Sequence, residues 1–247
     1  MCWMCNEKAG LIGSPERRRF LKTAGVFGAA LATGSVSLAT SANAQQSPIP
    51  KNEIDGSDAL KRLVDGNKRY VEGSVSPVDF ASTREALAAG QNPFAAILGC
   101  SDSRVAPELT FDTGRGDLFV VRVAGNVVTT EGLASLEFCV DVLGTQLIMV
   151  LGHERCGAVK AAISSVQSGN QFPGHIQDLV DLMRPPVEKA QAEKGDILKN
   201  AIMANVLWGV KGLQQASPIL SKHFADGTLK VVGGVYDLET GKVTLVT

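Results

Sequence analysis

No apolar run in the sequence reaches the roughly 20 residues that a convincing membrane-spanning helix needs, although an uncleaved membrane anchor near the N-terminus is the alternative to a cleaved leader there. No excess of either charge stands out: 24 Lys and Arg face 25 Asp and Glu. Without a basic tract there is no electrostatic footprint for nucleic acid. Internal repeats and low-complexity tracts are missing from the main body of the chain, so solenoid and fibrous architectures are set aside. Cysteines are scarce, at five in 247 residues, which is no basis for a disulfide-rich scaffold. What remains is an ordinary globular composition, 45% hydrophobic and 20% charged.

The first 44 residues differ from the rest. Arg17, Arg18 and Arg19 precede Phe20, Leu21 and Lys22, then comes an Ala/Gly-rich apolar stretch over residues 24–40, ending in Ala42-Asn43-Ala44. A charged start, an apolar middle and a small-residue cleavage pattern make a secretory signal. The Arg-Arg-x-Phe-Leu-Lys order resembles a twin-arginine signal, which exports folded proteins. The expected organisation is a leader at 1–44, a linker at 45–56 and one domain at 57–247, exported to the periplasm and free of the membrane after cleavage. The leader holds Lys8, Arg17, Arg18, Arg19 and Lys22 against Glu7 and Glu16, so the mature balance is 24 − 5 = 19 basic against 25 − 2 = 23 acidic, a net of −4. Cys2 and Cys5 leave with it. Cys100, Cys139 and Cys156 remain, an odd set that argues for something other than disulfides.

Periodicity organises the domain. Leu60, Leu63, Val64, Tyr70 and Val71 recur at helical spacing, with Ser57 as the expected N-cap. Residues 83–89 read as a short helix stopped by Gly90. Residues 94–98, 117–123 and 146–151 are apolar strands. Helices are expected at 130–143, 156–166, 175–183 and 197–215, with Pro185-Pro186 interrupting between the last two. Residues 229–236 and 243–246 read as strands around a Glu-Thr-Gly turn. Apolar strands alternating with helices predict an α/β domain: a central, mostly parallel β-sheet flanked by helices.

Two segments carry chemistry: Cys100-Ser101-Asp102-Ser103-Arg104 and His153-Glu154-Arg155-Cys156-Gly157. Each directly follows a buried strand, and the carboxyl ends of parallel strands open into the ligand crevice. If the two strands are neighbours, Cys100 and His153 converge there. Cys156 falls at a helix start, where unpaired N–H groups and the dipole favour a thiolate. Two thiolates and an imidazole form a donor set for one Zn2+, and three protein ligands leave a tetrahedral position open, as catalytic zinc requires. The alternative is a structural zinc with Asp102 as fourth ligand.

CSDSR, FVVRVAGN (residues 119–126) and GHERCGAV (residues 152–159) resemble the β-class carbonic anhydrases, over a stretch from about Leu60 to the C-terminus. The resemblance implies reversible hydration of carbon dioxide to bicarbonate, with Cys100, His153 and Cys156 as zinc ligands and Asp102 and Arg104 as the catalytic dyad. It places Gln91, Phe119, Ala124 and Phe138 around the substrate pocket. It also implies a homodimer or higher even oligomer whose partner chain helps line that pocket. Phe138 stands where some relatives carry Tyr, Ala124 where some carry Val, and Ile97 where bicarbonate-inhibited members carry Trp, so that inhibitory anion site is not expected here.

Zinc held by three histidines, as in the reference carbonic anhydrase, brings its water's pKa to about 7. Two thiolates offset the zinc charge, so activity here is expected to climb with pH above neutrality. Arg104 is expected to hold Asp102 through a bidentate pair; released, Asp102 would swing onto zinc and close the site. Cys139 reads as a small buried hydrophobe, His175 and His223 as surface residues, Glu154 and Arg155 as solvated, and Gly125 and Gly157 as turn formers. Two other functions fit the same residues: hydrolysis of carbonyl sulfide or carbon disulfide, and a non-catalytic zinc-binding scaffold.

Overall fold

The computed structural model describes residues 53–77, 81 and 83–246. The expected leader and most of the expected linker lie outside them. Helix α1 (Gly56–Val71) is capped by Asp55, whose carboxylate accepts from the Ser57 and Asp58 amides at 2.7 and 2.9 Å. The cap is therefore Asp55 and not Ser57: a carboxylate two residues earlier satisfies the free N–H groups of the first turn and opposes the dipole there.

Helix α2 (Arg84–Ala89), strand β1 (Ala95–Gly99), helix α3 (Pro107–Thr110), strand β2 (Leu118–Arg122) and a 3-10 turn at Ala124–Asn126 follow. Then come α4 (Thr130–Asp141), β3 (Leu147–His153), α5 (Gly157–Ser168), α6 (Ile176–Leu182), α7 (Arg184–Ala190), α8 (Ile197–Gln214), α9 (Ile219–Ala225), β4 (Lys230–Tyr236) and β5 (Val243–Val246). The helical region does break beside Pro185 and Pro186, at Met183, but a further helix, not expected from the sequence, starts there. The two prolines open α7, because a first-turn residue has no helical partner for its N–H and a fixed φ suits it.

The five strands form one sheet in the order β2-β1-β3-β4-β5, parallel except for β5. Alternation along β1 and β3 sends side chains to opposite faces. Ala96, Leu98, Ile148 and Val150 pack with Leu136, Val206, Leu213 and Leu220 from α4, α8 and α9. Ala95, Ile97, Leu147 and Met149 pack with Ala59 and Leu63 of α1. Both strands are buried throughout, which is why they read as unbroken apolar runs. β1 lies between β2 and β3, so the chain reverses its direction of winding at the β1–β3 seam. In an open α/β sheet that seam is where a crevice forms beyond the strand ends.

Candidate metal centre

Cys100 directly follows β1 and His153 is the last residue of β3, and these strands are paired neighbours. A two-residue turn, with Arg155 at φ 55°, brings the chain back so that Cys156 caps the N-terminus of α5. One ligand atom from each of Cys100, His153 and Cys156 lies within 4.8 Å of the others. The three are 5%, 0% and 2% exposed.

The imidazole is set for a cation. His153 Nδ1 lies 2.8 Å from the Glu154 carbonyl oxygen. A carbonyl only accepts, so the proton sits on Nδ1, and Nε2 carries a lone pair. That Nε2 is buried with no hydrogen-bond partner. An orphaned buried acceptor beside two sulfurs is an expensive arrangement for a protein alone, and a metal ion removes the expense. Tetrahedral zinc, with Zn–S of ~2.3 Å and Zn–N of ~2.0 Å, asks its ligand atoms to stand about 3.5–3.8 Å apart, within reach of this cluster.

The sulfurs point the same way. Cys100 is drawn down, first because the Cys156 thiol donates to it, with the neighbouring His153 ring and the Gly125 amide adding to this while burial opposes. That amide lies 3.2 Å from the sulfur. Cys156 is pushed up, because its proton is shared with Cys100 and because it is buried. The pair keeps one proton between them: two adjacent buried thiolates need a cation before both ionise.

Asp102 and Arg104 stand alongside. Arg104 donates through Nε and Nη2 to the two carboxylate oxygens of Asp102, at 2.9 and 2.7 Å, and through its amide at 3.0 Å. This charge-assisted grip holds Asp102 well below the usual carboxylate range. Asp102 Oδ2 is 3.8 Å from His153 Nε2, so the carboxylate borders the cluster while its lone pairs are turned to Arg104. Among the described residues the group that could hold a metal ion is Cys100, His153 and Cys156, and Asp102 stands outside it.

Arg122 was not singled out by the sequence. Its guanidinium donates to the carbonyls of Cys100, Asp102 and Val105 at 2.9, 2.7 and 2.9 Å, and so fixes the loop that carries the dyad. A lone Arg inside the apolar run FVVRV was the available signal. Glu154 is also more than a solvated residue, since its carbonyl sets the His153 tautomer.

The pocket expectations are distributed differently. Ala124 opens the turn that carries Gly125. Phe119 sits mid-strand on β2, opposite Ala96, and packs on the core. Gln91 is exposed ahead of β1, at the amino end of the sheet, whereas the cluster is at the carboxyl end. Phe138 lies on α4, 48% exposed. Cys139 is fully buried, donates to Thr145, and is pushed up to about 11 by burial, as an inert core thiol should be. His175 pairs with Asp178, and His223 with Thr228, both away from the cluster. A groove of about 390 Å³ lined by Pro186, Leu207 and Trp208 of α7 and α8 contains none of these residues.

The family model described as carbonic anhydrase matches residues 95–243. Carbonic anhydrase 2 of Mycobacterium tuberculosis is 40% identical over 188 residues, covering 76% of this chain and 91% of that protein. The carbonic anhydrase of Mycolicibacterium smegmatis is 40% identical over 191 residues, again covering 76% and 91%. Among solved structures, the β-carbonic anhydrase CcaA superposes with a TM-score of 0.59 at 31% identity, covering 76% of this chain and 95% of that one. The Coccomyxa β-carbonic anhydrase bound to acetazolamide gives 0.59 at 30% identity, covering 76% and 86%.

Proposed function

The chain belongs to the β-class carbonic anhydrases, and from that premise we propose that it hydrates carbon dioxide reversibly to bicarbonate and a proton with one Zn2+ held by Cys100, His153 and Cys156. The observation that carries the metal assignment is the buried, partnerless Nε2 of His153 beside two buried sulfurs. When bound, the metal supplies Lewis acidity that brings water toward ionisation near neutral pH.

The chain's own residues do the rest. Asp102, an acceptor throughout the neutral range, takes a hydrogen bond from the attacking water and turns its free lone pair toward the carbon of CO2. Arg104 keeps that carboxylate ionised and aimed. Arg122 keeps the loop carrying both in register. Cys100 and Cys156 belong to a buried apolar cluster with Val127 and Val159, which keeps bulk water from the sulfurs.

We assign Gln91, Phe119, Ala124 and Phe138 to the pocket, with Gln91 supplied by a second copy. Its place at the opposite end of β1 from Cys100 supports that: five residues at ~3.3 Å each separate the two strand ends. The functional unit in this reading is a homodimer or a larger even assembly; the Sordaria macrospora β-carbonic anhydrases that share the fold are described as tetrameric. We also assign residues 1–44 to a twin-arginine leader, on the sequence pattern, with the enzyme working outside the cytoplasm.

The test is stopped-flow CO2 hydration by the zinc-reconstituted chain, with Cys156→Ser as control. Hydration with one zinc per chain, lost with the metal in the Ser variant, is expected. Zinc uptake without hydration across pH 6–9 would mean a scaffold. Sulfide release from carbonyl sulfide in place of hydration would reassign the substrate.

A further inference from the structure

Asn205 lies on α8, far in sequence from both metal-binding segments, and is 3% exposed. Buried carboxamides are kept where they have bonds to make. Asn205 Nδ2 donates to the carbonyl oxygen of Gly125 at 2.7 Å. The amide of the same glycine donates to the Cys100 sulfur at 3.2 Å. One residue thus has its carbonyl clamped by α8 and its N–H aimed at a metal ligand.

The Gly125 turn needs a clamp. Gly125 and Asn126 have φ values of 73° and 45°, two successive residues in the left-handed region, and the second of them carries a side chain. The turn's own backbone supplies one bond, from the Asn126 amide to the Val123 carbonyl at 2.8 Å. The Gly125 N–H and its carbonyl lie in successive peptide planes that meet at its Cα, so a bond that fixes the carbonyl limits the φ and ψ through which the N–H could turn away from Cys100.

We propose that Asn205 is a positioning residue for the metal centre: through the Gly125 carbonyl it fixes the N–H···S hydrogen bond to Cys100, and so sets how much charge that sulfur gives the metal. A donor on a ligating sulfur withdraws charge from it, and outer-shell partners of this kind alter metal affinity or activity by about 10–100-fold. The inference rests on the proposed Cys100–His153–Cys156 metal site.

The test uses the full chain loaded with Co2+, whose sulfur-to-metal charge-transfer band reports on the thiolates directly. Asn205→Leu keeps the bulk and removes the donor; Asn205→Asp keeps the shape and, ionised, cannot donate. Both are expected to shift the band and to change Co2+ retention against a chelator by about 10-fold or more. Val206→Ala, one residue along and fully buried, is expected to lower the melting temperature and leave band and affinity alone. Asn205 variants with an unchanged band and affinity overturn the proposal, as does an equal shift in Val206→Ala. Should neither Asn205 variant fold, hydrogen exchange on the unaltered zinc-loaded chain decides: the Gly125 amide and Asn205 carboxamide protons are expected to exchange slowly, and fast exchange of either refutes the clamp. If the unaltered chain takes up no Co2+ at all, the metal site itself is wrong, which is a separate failure.

Discussion

Replacing Gly125 by alanine perturbs the point where the metal cluster, the 3-10 turn and α5 meet. The residue has φ 73° and ψ 13°, a left-handed conformation that costs a non-glycine residue about 1–2 kcal/mol. The added Cβ would lie 2.6 Å from Met183 Sδ, 3.2 Å from its Cε and 3.3 Å from Ala158 Cβ. The methionine end can rotate away, but Met183 is fully buried, and an off-rotamer shift in packed surroundings costs roughly 0.5–1.5 kcal/mol. The total is about 1.5–3.5 kcal/mol, or a fall in melting temperature of roughly 3–14 °C for a domain of this size.

Gly169 provides the comparison. It has φ 68° as the C-cap of α5, with nothing within 4 Å of the place an added Cβ would take. Gly169→Ala therefore carries the conformational strain without the crowding, about 1–2 kcal/mol. Urea unfolding of both variants at neutral pH, with metal bound, separates the two contributions. If Gly125→Ala is no less stable than Gly169→Ala, the packing argument is refuted; if it matches the unaltered chain, so is the strain argument.

Arg104→Ala should lose hydration activity and keep its metal, because the freed Asp102 carboxylate can turn toward the cluster; metal analysis beside stopped-flow assay checks this, and loss of metal would make Arg104 structural. In the unaltered chain Asp102 binds its proton less tightly than an ordinary carboxylate, so its contribution to stability is present above that ordinary range and fades as pH falls below it; in Arg104→Ala the contribution should shrink, so stability should fall less steeply with acid, read from denaturant unfolding at a series of pH values through and below that range. Cys139 has the opposite sign. Burial raises it from 9.0 to about 11, so its contribution is complete below pH 9 and lost as pH rises through 11, up to about 2–3 kcal/mol. Denaturant unfolding of the unaltered chain against Cys139→Ala over that interval should show the slope in the first and a flatter line in the second.

The sheet was legible because β1 and β3 are buried on both faces and leave unbroken apolar runs, with the chemistry-bearing residues directly after them. Sequence could state the condition for a metal site, that these two strands be neighbours, but adjacency is a tertiary fact. It is met by strand order, through pairings such as Leu98 with Val150. Pro185-Pro186 marked the break at Met183 but hid α7, because proline's meaning depends on position: ruinous inside a helix, welcome in its first turn. Asp55 was passed over because hydrophobic periodicity begins later than the backbone turn. Arg122, Gly125 and Asn205 act through main-chain carbonyls and one amide, and nothing in their side-chain chemistry announces which peptide group they will meet.

The His153–Cys156 turn and the end of β1 meet at the last rung of the β1–β3 ladder, Gly99 beside Leu151, and beyond it are held by the Cys156–Cys100 contact, by packing and by whatever sits among their three donor atoms. An ion there works as a rivet between sheet and helix, drawing together positions 100, 153 and 156. Stripping it should therefore do more than silence the reaction: the crevice end of the molecule should breathe, with β1's last turn and the first turn of α5 opening to solvent while the α1-covered face of the sheet stays shut. The reagent that performs the chemistry would then also be the fastener of the site in which it performs it.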